Sequence, residues 1–436
     1  MKTAVLSALL AFLLAIGLGL FGQSQPAGDR PVDQIKPVPS AWYQALPQDP
    51  AEATRAFLHR VPASMRDRGE AVSRTRYWAL AARVIASLGA LVLFLWSGAS
   101  TALDGMAATI CRHRWLRDLT FAVLLLIYLY AITLPVEVCA SYLRYRAFGF
   151  SDQPFATWLQ NNTIDWLTLA TFDAVGIVLL MALVRRWPRS WFALAGLAYL
   201  ALSTLYAALT PGVIEPLTSS FTPLPDGPFK REILKLAKAG GVPATDIYTD
   251  DASRKSRRLN GHVSGMFGSA RVVIDDTALG SYPPAVEALA AHEMGHYKMS
   301  HPLKMVGVAS LVATCGFALI AVLAPVVQRR YKRRWHIMNL HDSSAIAIYW
   351  LLFVAWGFIA DPITNVYARV QETQADTFSL DLAQRPDGLA EFAIQDADIA
   401  RLEPALLDIL LFYDHPSDAS RVEHAMRWRA DHRPGR

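Results

Sequence analysis

Long apolar runs of the length that crosses a bilayer dominate the chain. A membrane-spanning helix needs roughly 17 to 25 largely apolar residues. Seven stretches meet this, at 3 to 22, 77 to 98, 119 to 140, 166 to 184, 191 to 213, 302 to 327 and 344 to 360. The first follows a single lysine and has the size of a signal peptide as well as of an anchor; no small-x-small cleavage site follows it, so a retained span is expected. Arg83 lies near one end of the second run, Pro135 and Glu137 lie in the third, and Asp173 in the fourth. Ionisable groups at membrane depth face a water-filled cavity or a partner, unless the span ends a turn earlier than the pattern suggests.

Between the runs the pattern changes. Residues 23 to 76 are first proline-rich and then charged, which predicts an extended surface loop leading to a short amphipathic helix. From 214 to 301, a turn-rich entry at Pro223 to Pro228 precedes a helical spacing over Phe229 to Ala239. Short strands follow at Ile247 to Asp250, Gly261 to Met266 and Ala270 to Ile274, with glycines marking turns. The expected organisation is five spans with an amino-terminal loop (1–213), an inserted domain (214–301), two further spans (302–360) and a helical carboxyl-terminal domain (361–436).

Composition agrees: 53% of the 436 residues are hydrophobic and only 18% charged, too apolar for an ordinary soluble chain. The net charge of +5 does not point to nucleic acid, because the basic residues collect in short loops between spans, where they report topology. Cys111, Cys139 and Cys315 support neither a disulfide framework nor a cysteine metal site.

The chemistry begins at His292-Glu293-Met294-Gly295-His296, an H-E-x-x-H motif. Pro283 and Pro284 suit a helix start, and Ala285 to Ala291 continue it without a breaker. On a helix, His292 and His296 stand one above the other, so two imidazoles reach one metal ion. Glu293 is then placed to take a proton from a water acidified by Zn2+. The plain alternative is two histidines decorating a soluble helix, and a third ligand decides between them. Glu372 is the candidate; Asp376 returns to the same face one turn later and offers a carboxylate to a ligand imidazole. Two spans separate His296 from Glu372, so both fall on one side of the membrane. His415, followed by Pro416, could stabilise an oxyanion, and Arg421 could hold a helix or bind a substrate carboxylate; from chemistry alone His415 reads as a surface histidine.

With these residues assembled, the chain resembles the type I CaaX prenyl endoproteases, integral-membrane zinc metalloproteases more distantly similar to the heat-shock protease HtpX. The resemblance implies a mainly α fold: a seven-helix polytopic membrane protein enclosing a chamber, with a small α/β zinc metalloprotease domain of the gluzincin type. It implies one Zn2+ per chain on His292, His296 and Glu372, Glu293 as base, Asp376 behind the ligands, and roles for His415 and Arg421 beside the cleft. It also implies an edge strand that aligns substrate, at Asn260, Gly261 and His262, although Gly261 and His262 depart from the family's Asn-Ala-aromatic pattern. The chamber would account for Glu137 and Asp173. The expected partners are the bilayer and a peptide or protein substrate, membrane-bound or lipidated.

Arginines after the second, fourth and sixth spans put those loops in the cytoplasm and the zinc site outside it. Arg66, Arg68, Arg74 and Arg76 partly offset that bias, and the family expectation is a site facing the cytosol. A prokaryotic plasma membrane is the expected location. A quality-control protease of the HtpX kind is the alternative function; a chaperone or transporter with structural zinc is a lesser one, since such a site has no need of Glu293. Leu103-Asp104-Gly105 resembles a site-2-protease motif but precedes the zinc helix, the wrong order.

Overall fold

Six helices among the described residues are long and apolar enough to cross a membrane. The computed structural model describes residues 35, 36, 39–265, 270–395 and 397–432; the expected first span, 3 to 22, lies outside the described residues. Two short helices, α1 (Ser40–Gln44) and α2 (Pro50–Leu58), lead to α3 (Ala63–Trp96), which contains the second expected span. Then come α4 (Ala99–Ile110), α5 (Arg114–Glu137), α6 (Arg144–Ala147), α7 (Phe155–Arg186) and α8 (Trp191–Leu209). Pro135 sits inside α5, and a π-helical turn, Val138–Leu143, joins α5 to α6. A proline withholds an N–H from the ladder, and a π turn widens the helix just where Glu137 leaves it.

The inserted region forms β1 (Phe221–Pro223), α9 (Pro228–Ala239), β2 (Ala244–Asp250), β3 (Gly261–Ser264) and β4 (Ala270–Asp275). The sheet runs β1-β2-β4-β3, with β2 and β4 parallel and both outer strands antiparallel to their neighbours. β3 is therefore an edge. β1 falls where only a turn-rich entry was expected, because a three-residue strand has too few positions to show alternation. Helix α10 (Pro283–Lys298) packs its Leu289 and Met294 against Ile233, Ile247 and Ile274 of α9 and the sheet.

The last helices are α11 (His301–Trp335), α12 (Ile346–Ala383), α13 (Pro386–Gln395), α14 (Leu406–Phe412) and α15 (Asp418–Asp431). α12 runs unbroken through the expected boundary at 360, so the last span and the segment bearing Glu372 are one rod. The stretch expected as a surface loop is partly interior: Ala53, Phe57 and Val61, at helical spacing, bury against Leu389, Ile394, Val422 and Met426. Burying a phenylalanine side chain contributes about 1.5–3 kcal/mol, enough to fasten this arm onto the carboxyl-terminal helices.

Between spans, small residues set the approach of neighbours. A Cβ at Gly316 of α11 would lie 2.3 Å from Cδ1 of Trp356 on α12, whose indole N–H donates to Val312 O at 3.0 Å. A planar ring pinned by its hydrogen bond cannot step aside. Gly316→Val is expected to destabilise the protein by about 1–3 kcal/mol; thermal unfolding in detergent measures it, and an unchanged melting temperature contradicts this packing.

Candidate metal centre

Helix pitch and helix crossing build the site. On α10, His292 and His296 lie one turn apart, with Nε2 atoms 3.1 Å from each other. Glu372 arrives on α12, its Oε2 3.2 Å from His292 Nε2 and its Oε1 3.4 Å from His296 Nε2. A tetrahedral ion with bonds of about 2.05 Å needs ligand atoms about 3.3 Å apart; the edge between the imidazoles and the approach of each imidazole to one or other oxygen of Glu372 lie near that spacing. Glu372 Oε2 is buried with no hydrogen-bond partner among the described residues, as expected of an atom shaped for a metal. Gly295 lets the two helices meet: a Cβ there would stand 3.2 Å from Ala375 Cα.

Charge gives the same answer. Glu293, Glu372 and Asp376 gather around the metal position with the buried guanidinium of Arg421 set against Asp376, an acidic surplus that a divalent cation would offset. Burial draws the His292 imidazole down, but the carboxylates of Asp376 and Glu372 outweigh it and hold its pKa at about 10. Burial and the neighbouring His292 charge push His296 to about 3. Burial also raises Glu293, the direction that brings a carboxylate toward a proton-transfer role.

Supporting hydrogen bonds set both tautomers. His292 Nδ1–H donates to Asp376 Oδ1 at 2.8 Å, which turns the bare Nε2 toward the ligand position. Arg421 then donates to both oxygens of Asp376, at 2.9 and 2.5 Å. Its guanidinium, a candidate for a substrate carboxylate, is placed on Asp376 while still lining the cavity. On the other imidazole, His296 Nδ1 meets His301 Nδ1 at 3.0 Å, and His301 Nε2 meets Gln374 Oε1 at 3.1 Å. With Gln374 as acceptor, the donors run His296 to His301 to Gln374. His301 escaped the sequence reading because Ser300 takes a left-handed φ of 55°, and that turn alone folds His301 back onto the motif.

His415 Nε2 stands 3.5 Å from Glu372 Oε1, and its Nδ1 lies 3.0 Å from Asp414 Oδ1. Burial lowers its pKa, and Asp414 more than reverses this. Asn260, Gly261 and His262 lie at the start of edge strand β3, beside α10, with Gly261 buried against Val273 O and Leu289. All of these line one cavity of about 950 Å³ that also reaches Arg83, Glu137 and Arg144 on the membrane helices. Glu137 accepts two hydrogen bonds from Arg83, at 2.7 and 2.8 Å. Asp173 does not share this cavity; it lines a second, apolar one of about 380 Å³ between α7, α8, α11 and α12. Asp104 of Leu103-Asp104-Gly105 is paired with Arg117 at 2.6 Å, away from the cavity.

Comparison with known proteins agrees with this architecture. Residues 223–429 match the model of peptidase family M48, and residues 48–220 match that of the CAAX prenyl protease N-terminal domain, five membrane helices. The chain is 27% identical to the uncharacterized metalloprotease YhfN of Bacillus subtilis over 76% of its own length and 79% of that protein's. It is 29% identical to CAAX prenyl protease 1 of Saccharomyces cerevisiae over 67% of this chain and 68% of the other. With the CAAX prenyl protease 1 homolog of Dictyostelium discoideum it is 27% identical over 57% of this chain, spanning 59% of that relative. In fold, it superposes on the crystal structure of S. mikatae Ste24p with a TM-score of 0.67, 20% identity, and coverage of 97% of this chain and 98% of the other.

Proposed function

As a membrane metalloprotease of the type I CaaX prenyl protease family, matched over both its halves, this chain has a site from which we propose zinc-dependent hydrolysis of peptide bonds in membrane-associated or lipid-modified proteins. One observation carries the reading: the imidazoles of His292 and His296 and the carboxylate of Glu372 converge, with ligand atoms within 4.8 Å of one another and Glu293 one residue along the same helix, facing a cavity that continues among the membrane helices. A structural site would need no buried carboxylate left over.

Zinc, when bound, polarises a carbonyl and brings the pKa of a water to about 7. Glu293 is the group placed to accept a proton from an attacking water and to pass it to the leaving amine. His415, its Nδ1 held by Asp414, offers Nε2–H to the oxygen that gains charge. Asp376 and Arg421 keep His292 in one tautomer, and His301 does the same for His296. The free edge of β3 supplies backbone N–H and C=O groups to an extended substrate by strand addition. Gly261 and His262 form that edge, so the pocket beside it is shaped by Leu289 and the His262 ring.

We read 214–301 with 361–436 as the catalytic unit and the spans as its chamber. The arginine loops at the far end of the spans favour a site outside the cytoplasm. A carboxyl-terminal reporter active only in the cytoplasm refutes that side.

Glu372→Gln is expected to empty the site, because an amide cannot supply the ligand charge. Metal analysis of the detergent-purified protein should fall from one zinc per chain to a small fraction of that, and full retention removes Glu372 from the ligand set. Farnesylated and non-prenylated peptides offered to the intact protein separate lipid-dependent from general cleavage; cleavage of neither, with zinc bound, overturns the proposed activity.

A further inference from the structure

Outside the spans, α14 turns its faces the wrong way for a water-exposed helix. It reads Leu-Leu-Asp-Ile-Leu-Leu-Phe. Asp408 points inward to the guanidinium of Arg401, which also holds Glu70, and Phe412 stacks inward on Tyr77 with centroids 4.5 Å apart. Leu406 and Leu407 are 71% and 66% exposed, and Leu410 and Leu411 are exposed beside them. A helix laid on a soluble core shows the reverse pattern.

The leucine face continues onto a helix that already crosses the bilayer. On α12, Ile359, Ile363, Val366 and Val370 are all exposed, and steps of four, three and four residues place them in one stripe. The stripe runs ten residues past the apolar run that ends at 360, about 15 Å of helix. At the next turn the same face carries Thr373 and Gln374, so the stripe stops sharply after Val370. α14 is fastened to α12 at this level: Asn365 donates to Leu411 O at 3.4 Å, and Arg369 donates to Ile409 O at 2.8 Å and to Tyr413 O.

We propose that α14 and the 359–370 stripe of α12 lie together in the membrane interface, with the four leucines among lipid chains and the hydrocarbon boundary at Val370, two residues before Glu372. Lipid is favoured over a protein partner because the surface is continuous with a membrane-spanning helix and its nearest cation, Arg369, is held between the two helices by the carbonyls of Ile409 and Tyr413. Asp408 is turned to Arg401, and helical geometry puts Asp361 on the side of α12 away from the stripe. The interface then anchors the loop that follows α14, which carries His415 to within 3.5 Å of Glu372. Lipid contact therefore bears on the catalytic cavity through Tyr413 and Asp414.

The inference rests on the chain spanning a membrane, not on its being a peptidase. The full chain, with Cys111, Cys139 and Cys315 replaced by serine, is labelled with a nitroxide at Leu407→Cys or Leu410→Cys and reconstituted in phosphatidylcholine and phosphatidylglycerol vesicles. Val322→Cys on the outer face of α11 is the lipid reference, and Lys235→Cys on α9 is the water reference. Power saturation is read against oxygen and a water-soluble nickel chelate. The expected result is nickel contact several-fold below that at Lys235 and oxygen contact near that at Val322. Nickel contact equal to that at Lys235 overturns the proposal. So does protection from both reagents, which would mean that residues 1 to 34 or a second copy cover the face. Zinc content and peptide cleavage, measured on the same vesicles, report separately on the peptidase reading, and thermal unfolding confirms that each labelled chain is folded.

Discussion

Glu293→Gln is expected to bind zinc normally and to lose peptide cleavage by roughly 10²–10⁴-fold, the range for removal of a positioned general base. Glutamine keeps the shape and the place on α10 while giving up proton acceptance. His292, His296 and Glu372 do not depend on Glu293 for their geometry, so metal content serves as the internal control. If kcat stays within a fewfold of wild type with zinc retained, another group is the base. A loss of zinc in parallel with activity would instead make Glu293 part of the metal's support. Glu293→Asp retracts the carboxylate by one methylene and should restore only part of the rate.

Arg421→Met is expected to destabilise the folded protein by about 3–5 kcal/mol, the cost of leaving one partner of a buried ion pair alone. Asp376 is 1% exposed and Arg421 8%, so water cannot replace the guanidinium. The charge of Asp376 would then rest on His292 Nδ1–H alone. Asp376→Asn tests the same contact from the other side: it leaves the buried guanidinium of Arg421 without its counter-ion, so a stability loss of the same order is expected, while zinc affinity falls about 10–100-fold. Thermal unfolding and zinc titration of the two variants together separate stability from ligand orientation. Equal zinc affinity in wild type and Asp376→Asn would show that the carboxylate does not orient His292.

How much of this was legible in the chain depended on the range of the interaction. Local periodicity gave the spans, helix α10 and the pairing of His292 with His296, because pitch is a property of neighbours in sequence. The meeting of Glu372 with that pair followed from counting membrane crossings. Other contacts left no trace at short range. His301 depends on one left-handed residue, and Arg421 finds Asp376 forty-five residues away. The arm bearing Phe57 finds its partners more than three hundred residues later. The α14 segment reads as an ordinary apolar helix until the directions of Asp408 and its leucines are known. Glu137 and Asp173 looked alike as acids within spans, yet one faces the metal cavity beside Arg83 and the other a separate apolar one.

The unbroken run of α12 from Ile346 to Ala383 has a consequence for how the protein is made. A chain still emerging from the ribosome has His292, Glu293 and His296 long before it has Glu372, which enters only on the rod whose first half is a membrane-spanning segment. The carboxylate proposed to complete the ligand set is thus delivered only with that rod, and a chain that stops short of α12 carries the two imidazoles without it.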